Sequence, residues 1–137
     1  MAVIFDSSFL FALTYSKAKR HEDCVQLARS LREKFIIPVT VLPEVTYLLA
    51  NRFGHYYMRE FVSKVSKSEW HLENLSGEDL ERASELLSVY ADARLDFADA
   101  TIIAMAERLG VETILTLDRR DFRMIRPKHI PYFNLLP

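Results

Sequence analysis

Four carboxylates in this 137-residue chain each stand at the mouth of an apolar segment, and together they span the whole sequence. Asp6 ends the run Ala2-Val3-Ile4-Phe5, and Glu44 opens the apolar stretch after Pro38 and Pro43. Asp99 sits within Leu95-Asp96-Phe97-Ala98-Asp99-Ala100, at the head of an alanine-rich segment, and Asp118 follows Thr113-Ile114-Leu115-Thr116-Leu117. In an open α/β sheet, strand carboxyl ends and helix amino ends share one edge, and sites form there. Four acids gathered on that edge make an anionic, oxygen-only pocket. Such a pocket is costly unless a hard cation neutralises it, and Mg²⁺ or Mn²⁺ suits carboxylate ligands best.

Taken singly, each acid also has a purely structural reading. Asp6 can cap the helix that follows it, Glu44 can be a first-turn carboxylate favoured by the helix dipole, and Asp118 can belong to a turn. Asp96 and Asp99 are three residues apart, as in a capping box, so one of them can be a cap. The four histidines, His21, His55, His71 and His129, lie in unrelated segments without metal-ligand spacing and read as surface or packing residues. No nucleophile elbow, P-loop or Cys/His zinc pattern is present. Arg119, Arg120, Arg123, Arg126 and Lys128 crowd behind Asp118, and Lys17, Lys19 and Arg20 follow the first helical segment. These clusters read equally as ordinary solvated surface and as grips for a phosphate backbone.

The elements that must carry these acids are readable from periodicity. Ala2–Phe5 is a short buried strand, and Asp6, Ser7 and Ser8 can each cap a short helix over Phe9–Leu13. Helical spacing of Cys24, Leu27, Ala28, Leu31 and Phe35 predicts a helix over His21–Lys34. Phe35–Val39 predicts a second strand, with its proline at an end or on an edge. Pro43 suits the first turn of the next helix, Gly54 its end, and a further helix follows over about Tyr56–Val65. Trp70–Leu75 alternates as a third strand, and Ser76-Gly77-Glu78-Asp79 resembles a capping box for a helix over Leu80–Tyr90. Phe97–Leu109, closed by Gly110, is a helix; Val111–Leu117 is a strand; Tyr132–Leu135 is a weaker extended segment. Strands alternating with helices predict a three-layer α/β/α sandwich on a central parallel sheet, as a single domain over residues 1–137.

Half the residues are hydrophobic and 27% are charged, which predicts a folded globular chain rather than a disordered one. A net charge of −1 confines any nucleic-acid surface to a local patch. Cys24 stands alone and forms no internal disulfide, in keeping with a reducing compartment. No apolar run approaches a membrane span, and the first residues lack a signal-peptide pattern, so the sequence predicts a cytoplasmic protein.

The strand leading into Asp6-Ser7-Ser8, then Pro43-Glu44-Val45, then Asp96-Phe97-Ala98-Asp99-Ala100-Thr101-Ile102-Ile103-Ala104-Met105-Ala106, and finally Thr116-Leu117-Asp118-Arg119-Arg120-Asp121-Phe122 resemble the PIN-domain ribonucleases. Among these the likeness is to the VapC-type toxins of toxin–antitoxin pairs, and it covers essentially the whole chain in the right order. The resemblance implies a PIN-like fold and a Mg²⁺- or Mn²⁺-dependent endoribonuclease whose metal-binding acids are Asp6, Glu44, Asp99 and Asp118. It places Ser8 and Thr116 as hydroxyls that hold the carboxylates by hydrogen bonds. Asp96 can be a fifth acid, a water-mediated ligand or the helix cap, and Asp121 is expected to face solvent or pair with arginine. Arg119 and Arg120 are the candidate RNA-binding cations. An antitoxin protein and a homodimer are the implied partners, on the apolar helices that carry Tyr47, Tyr56, Tyr57 and Met58; from the sequence alone these residues read equally well as part of the core.

The chemistry suits the residues. Hydrolysis of a phosphodiester puts extra negative charge on non-bridging and leaving oxygens, and divalent ions held by carboxylates offset that charge and make a water more acidic. Two other functions compete. An aspartyl-phosphate phosphatase would use Asp6 as nucleophile, but such sites usually want a second Asp two residues on, where this chain has Ser8. A non-catalytic α/β binding module would use the acids only to receive a cation or a basic partner.

Overall fold

The computed structural model describes residues 1–137. Five strands, β1 (Ala2–Phe5), β2 (Lys34–Pro38), β3 (His71–Glu73), β4 (Thr113–Leu115) and β5 (Asn134–Leu136), form one sheet in the order β3-β2-β1-β4-β5, with every pair parallel. Seven helices connect them: α1 (Ser7–Thr14), α2 (His21–Ser30), α3 (Leu42–Arg52), α4 (His55–Lys67), α5 (Gly77–Val89), α6 (Phe97–Leu109) and α7 (Arg120–Met124). The chain steps outward from β1 to β2 to β3, then crosses back to β4 and moves the other way to β5. Right-handed crossovers then put the helices of the two halves on opposite faces. The packing agrees: α1 contacts α2 and α3, α3 contacts α4, and α5 lies along α6. The result is the three-layer α/β/α sandwich. The reversal of strand order falls between β1 and β4, which makes their carboxyl ends the expected place for a site.

Local chemistry explains most element boundaries. The capping box at α5 forms in full: the Ser76 hydroxyl accepts from the Asp79 N–H, and the Asp79 carboxylate accepts from the Ser76 N–H, both at 3.0 Å. Gly110 ends α6 with φ of 69°, a left-handed conformation that costs glycine nothing. Pro43 lies in the first turn of α3, where no N–H is needed. No helix is long and apolar enough to cross a membrane.

Several expected boundaries move. The first helix runs over Ser7–Thr14 rather than Phe9–Leu13, because the Asp6 carboxylate caps it two residues earlier. The second helix stops at Ser30 rather than Lys34, because Lys34 already pairs with Ala2 at the start of β2. Pro38 is the last residue of β2, and β2 is an inner strand between β1 and β3. β3 is confined to His71–Glu73 and lies on the edge, where Leu72 faces out at 44% exposure. β4 is shorter than Val111–Leu117, since Thr116 and Leu117 turn off to build the site. The C-terminal strand is shifted to Asn134–Leu136, and α7 had no counterpart in the sequence reading.

The edge helices are tied down by ions. Arg108 of α6 donates to both oxygens of Asp79, at 2.9 Å each, and to Glu73 of β3 at 3.0 Å. Asp79 is only 2% exposed, and Arg108 holds its carboxyl below the ordinary range against the opposing effect of burial. Arg108→Ala leaves that buried charge with only its capping partners. We expect a loss of about 2 kcal/mol, read from the midpoint of urea unfolding, with the fold preserved.

Candidate active site

β1 ends and α1 begins at Asp6, and this one residue serves both. Its backbone N–H donates to Leu115 O at 3.0 Å, locking the end of β1 to the end of β4. Its Oδ1 accepts from the Phe9 N–H at 2.9 Å and from the Ser8 hydroxyl at 2.7 Å. Its Oδ2 accepts from the Thr116 hydroxyl in a short hydrogen bond. The same two hydroxyls also accept hydrogen bonds from the turn after β4: Ser8 Oγ from the Leu117 N–H at 3.0 Å, and Thr116 Oγ1 from the Asp118 N–H at 2.9 Å. Sequence reasoning placed Ser8 and Thr116 beside the carboxylates but not this cross-bracing. The Thr116 hydroxyl donates to Asp6, 110 residues away, and accepts from the Asp118 backbone N–H.

The other acids arrive on their own elements. Glu44 lies in the first turn of α3 and accepts from the Ser7 hydroxyl at 3.2 Å. The turn before α3 is fixed to α6 by the Thr40–Thr101 hydroxyl pair at 2.7 Å, with Thr101 fully buried. Asp96 is the N-cap of α6, accepting from the Ala98 N–H at 3.1 Å, and Asp99 stands one turn on. Asp118 is exposed, with one oxygen 3.4 Å from the Arg120 N–H at the start of α7.

Asp6, Glu44, Asp99 and Asp118 line one recess of about 280 Å³ with Ser7, Ser8, Asp96, Asp121, Arg94 and Arg120, and none of its lining is hydrophobic. No three acidic or imidazole groups are drawn to the spacing of one ion's direct ligands. The acids therefore line a basin rather than meet at a point. Asp121, expected to face solvent or pair with arginine, is in the wall and 3.7 Å from Arg120. Arg94 was missed altogether. Of the basic residues behind Asp118, Arg120 alone reaches the recess; Arg119 does not line it, Arg126 lies over the Tyr132 ring at 4.2 Å, and Lys128 lines a different pocket. Lys19 and Arg20 line a larger apolar groove of about 590 Å³ between α1 and α3, which shares Ser7, Ser8 and Glu44 with the recess.

The histidines are structural or superficial. His21 and His129 meet the carbonyls of Ala12 and Val111 at 2.7 Å, His55 meets Arg59, and His71 meets Glu73.

Crowding and burial act on the acids as Coulomb and solvation physics require. Burial raises Asp99 to about 8, and the charges of Asp6, Asp96, Asp121 and Glu44 add to the rise. Burial raises Asp6 to about 6, against the lowering effect of its Thr116, Phe9 and Ser8 donors. Glu44 is raised by its partial burial and then by Asp96. No arginine or lysine ion-pairs with Asp6, Glu44 or Asp99.

The consequence for stability has a definite sign. Above pH 4 the folded chain keeps a proton on Asp6 up to about pH 6 and on Asp99 up to about pH 8, whereas the unfolded chain releases both near 3.8. Stability contributed by these groups is complete below that lower value and is lost as pH rises through about 6 and 8. The acids with lowered values, Glu73, Asp79 and Glu107, act below that window. Chelator-treated protein should therefore melt several degrees lower at pH 8 than at pH 5. A flat profile would show that the recess relieves its charge in another way.

The PIN domain family model matches residues 3–126. Ribonuclease VapC26 of Mycobacterium tuberculosis is 30% identical over 135 residues, covering 98% of this chain and 100% of the relative. Among solved structures, Mycobacterium tuberculosis VapC20, described as a sarcin–ricin loop cleaving toxin, superposes with a TM-score of 0.79 at 24% identity, over 85% of this chain and 90% of that one. A toxin–antitoxin complex from Klebsiella pneumoniae gives 0.69 at 24% identity, over 96% and 98%. The chain matched from Rickettsia felis VapBC2 bound to a promoter DNA fragment gives 0.69 at 15% identity, over 98% and 97%. The fold is theirs, and by family model and full-length relative alike this chain belongs to the PIN domain family, with the VapC-type ribonucleases.

Proposed function

We propose that this protein is a Mg²⁺- or Mn²⁺-dependent endoribonuclease that hydrolyses RNA phosphodiester bonds, acting in the cytoplasm as the toxin of a toxin–antitoxin pair. One observation carries the metal dependence: the carboxylates of Asp6, Glu44 and Asp99 share a recess in which no cationic side chain pairs with them. Their donor set is all oxygen, which suits a hard dication. A basin wider than a direct cage also suits Mg²⁺, which keeps several waters and takes only one or two carboxylates directly. Asp6, Glu44, Asp99 and Asp118 would hold the ion, and Asp96 and Asp121 add their charge to the same recess.

When bound, the ion supplies positive charge for the phosphate oxygens and a more acidic water. The chain's own residues do the positioning. Ser8 and Thr116 hold one oxygen of Asp6 each, which fixes the orientation of the carboxylate. Ser7 steadies Glu44 from α1, and the Thr40–Thr101 pair holds the α3 and α6 acids in register. Asp96 keeps α6 capped so that Asp99 stays at its head. Arg120, 83% exposed at the side chain and only 3.7 Å from Asp121 in a loose ion pair, would turn to meet an RNA phosphate. The aspartyl-phosphate alternative gains nothing, since Asp6 is 4% exposed with both oxygens already engaged.

The partners follow from the relatives. The Klebsiella pneumoniae neighbour is a toxin–antitoxin complex, and the Rickettsia felis one is VapBC2 bound to a promoter DNA fragment, which supports an antitoxin here. The apolar groove between α1 and α3 would receive its segment, and the exposed Tyr47 of α3, Phe53 just after it and Tyr56 of α4 would support a homodimer.

The test is cleavage of a single-stranded RNA by purified protein. Mg²⁺ or Mn²⁺ should support cutting to 5′-phosphate and 3′-hydroxyl ends, and EDTA should stop it. The same ions should raise the melting temperature more at pH 8 than at pH 5, because they relieve the charge that destabilises the recess. Cleavage indifferent to EDTA would remove the metal from the mechanism.

A further inference from the structure

We propose that Arg94 is a substrate-phosphate-binding residue of this active site, held over the acidic recess by a strained turn. The inference rests on the nuclease reading above and deepens it. Arg94 has a φ of 55°, the one non-glycine residue of the chain with positive φ. A long side chain in the left-handed region costs of order 1 kcal/mol, and such residues persist where the surrounding structure enforces them.

That enforcement is visible on both sides. The α5–α6 connection tightens through Ala93 N–H to Tyr90 O at 3.1 Å and Arg94 N–H to Ala91 O at 3.0 Å. Immediately afterwards Leu95 is buried in the core at 6% exposure, and Asp96 caps α6. Arg94 is therefore pinned between a turn and an anchor. Arg94 lines the recess with Asp6, Glu44, Asp96, Asp99 and Asp118.

In that position it makes no ion pair and no side-chain hydrogen bond, although carboxylates surround it. An arginine serving the folded chain alone would be expected to close on one of them, as Arg108 closes on Asp79. A basin of acids repels RNA, and a guanidinium offers paired donors that match the non-bridging oxygens of a phosphate. Arg120 reaches the same recess from α7. The two arginines, on separate elements, give the strand cationic contacts beside the acids.

The experiment compares wild type with Arg94→Ala, Arg94→Lys and Arg94→Gly, using a fluorescein-labelled single-stranded RNA of about a dozen nucleotides. Three quantities are read: steady-state cleavage with Mn²⁺, anisotropy of binding with EDTA present, and melting temperature. Arg94→Ala keeps the backbone strain and removes the grip. It should raise KM and the anisotropy Kd about tenfold, change kcat less than threefold, and lower the salt slope of binding by about 0.7. Arg94→Lys should recover part of the affinity because it keeps the charge without the fork. Arg94→Gly should lose affinity as alanine does but melt at or above wild type, since glycine releases the strain. A purely structural Arg94 would instead lower the melting temperature in all three variants and leave KM and salt slope unchanged, which overturns the proposal. If wild type cleaves no RNA, the nuclease reading fails while the anisotropy arm still decides Arg94: weaker binding by Arg94→Ala supports it, and equal binding ends it.

Discussion

Asp99→Asn is expected to lower RNA cleavage by more than about a hundredfold while making the metal-free protein more stable at alkaline pH. The two effects have one cause. Asp99 stands where burial and four neighbouring acids resist its ionisation, pushing it to about 8. Asparagine has nearly the shape of the protonated acid, so it removes the charge that the fold resists and that a divalent ion would need. A loss above a hundredfold exceeds the tenfold to hundredfold cost of removing a group that merely orients a ligand. Melting temperatures in EDTA should agree between variant and wild type near pH 5 and separate by several degrees at pH 8, with the variant higher. Asp96→Asn is the internal control. Its side chain caps α6 at Ala98, and asparagine caps about as well as aspartate, so less than tenfold of the activity should be lost. Equal losses in the two variants would make Asp96 a ligand; full activity in Asp99→Asn would remove the residue from the chemistry.

The same residues show why so much of this protein is legible in its sequence. A strand that ends in an acid and a helix that begins with one carry two signals at once, a change of hydrophobic period and a cap. Asp6 is marked in both ways, Asp99 stands one turn inside a helix marked by the Asp96 cap, and that helix, α6, bounded by Asp96 and Gly110, is found with its boundaries intact. Elements whose pattern runs on beyond their end are misjudged. The apolar spacing of α2 continues through Leu31 into Phe35, which belongs to β2, so the period alone cannot place the break at Ser30. β3 misleads for a related reason: on a sheet edge the alternation of Trp70 and Leu72 is not enforced by burial, and Leu72 faces out. What lies outside the pattern altogether is the recess wall supplied by Arg94 and Asp121. One sits in a left-handed turn and the other in the five-residue α7, and neither is long enough to leave a period. Their place in the site is a property of the tertiary structure.

Thr116→Val tests whether the bracing of Asp6, rather than its mere presence, makes the site. Valine keeps the shape and β-branching of threonine and removes the hydroxyl. Oδ2 of Asp6 then loses its one protein donor, whereas Oδ1 keeps the Phe9 N–H whatever happens at Ser8. The Asp118 N–H loses its acceptor in the same step. Thr116 is 1% exposed and Asp6 4% exposed, so bulk water does not readily replace either bond. We expect a loss of about 2 kcal/mol in stability, a further rise in the Asp6 pKa because a lowering donor is gone, and a tenfold to hundredfold fall in cleavage. The fall should be steeper at pH 6 than at pH 8, where even a weakly acidic Asp6 is ionised. Ser8→Ala should lose less on every count, because it strips the better-supplied oxygen, and Thr116→Ser should restore most of the activity. Stability and cleavage both at wild-type levels in Thr116→Val would show that Asp6 is held by its helix alone, and that the clasp between β1 and β4 has no part in the chemistry.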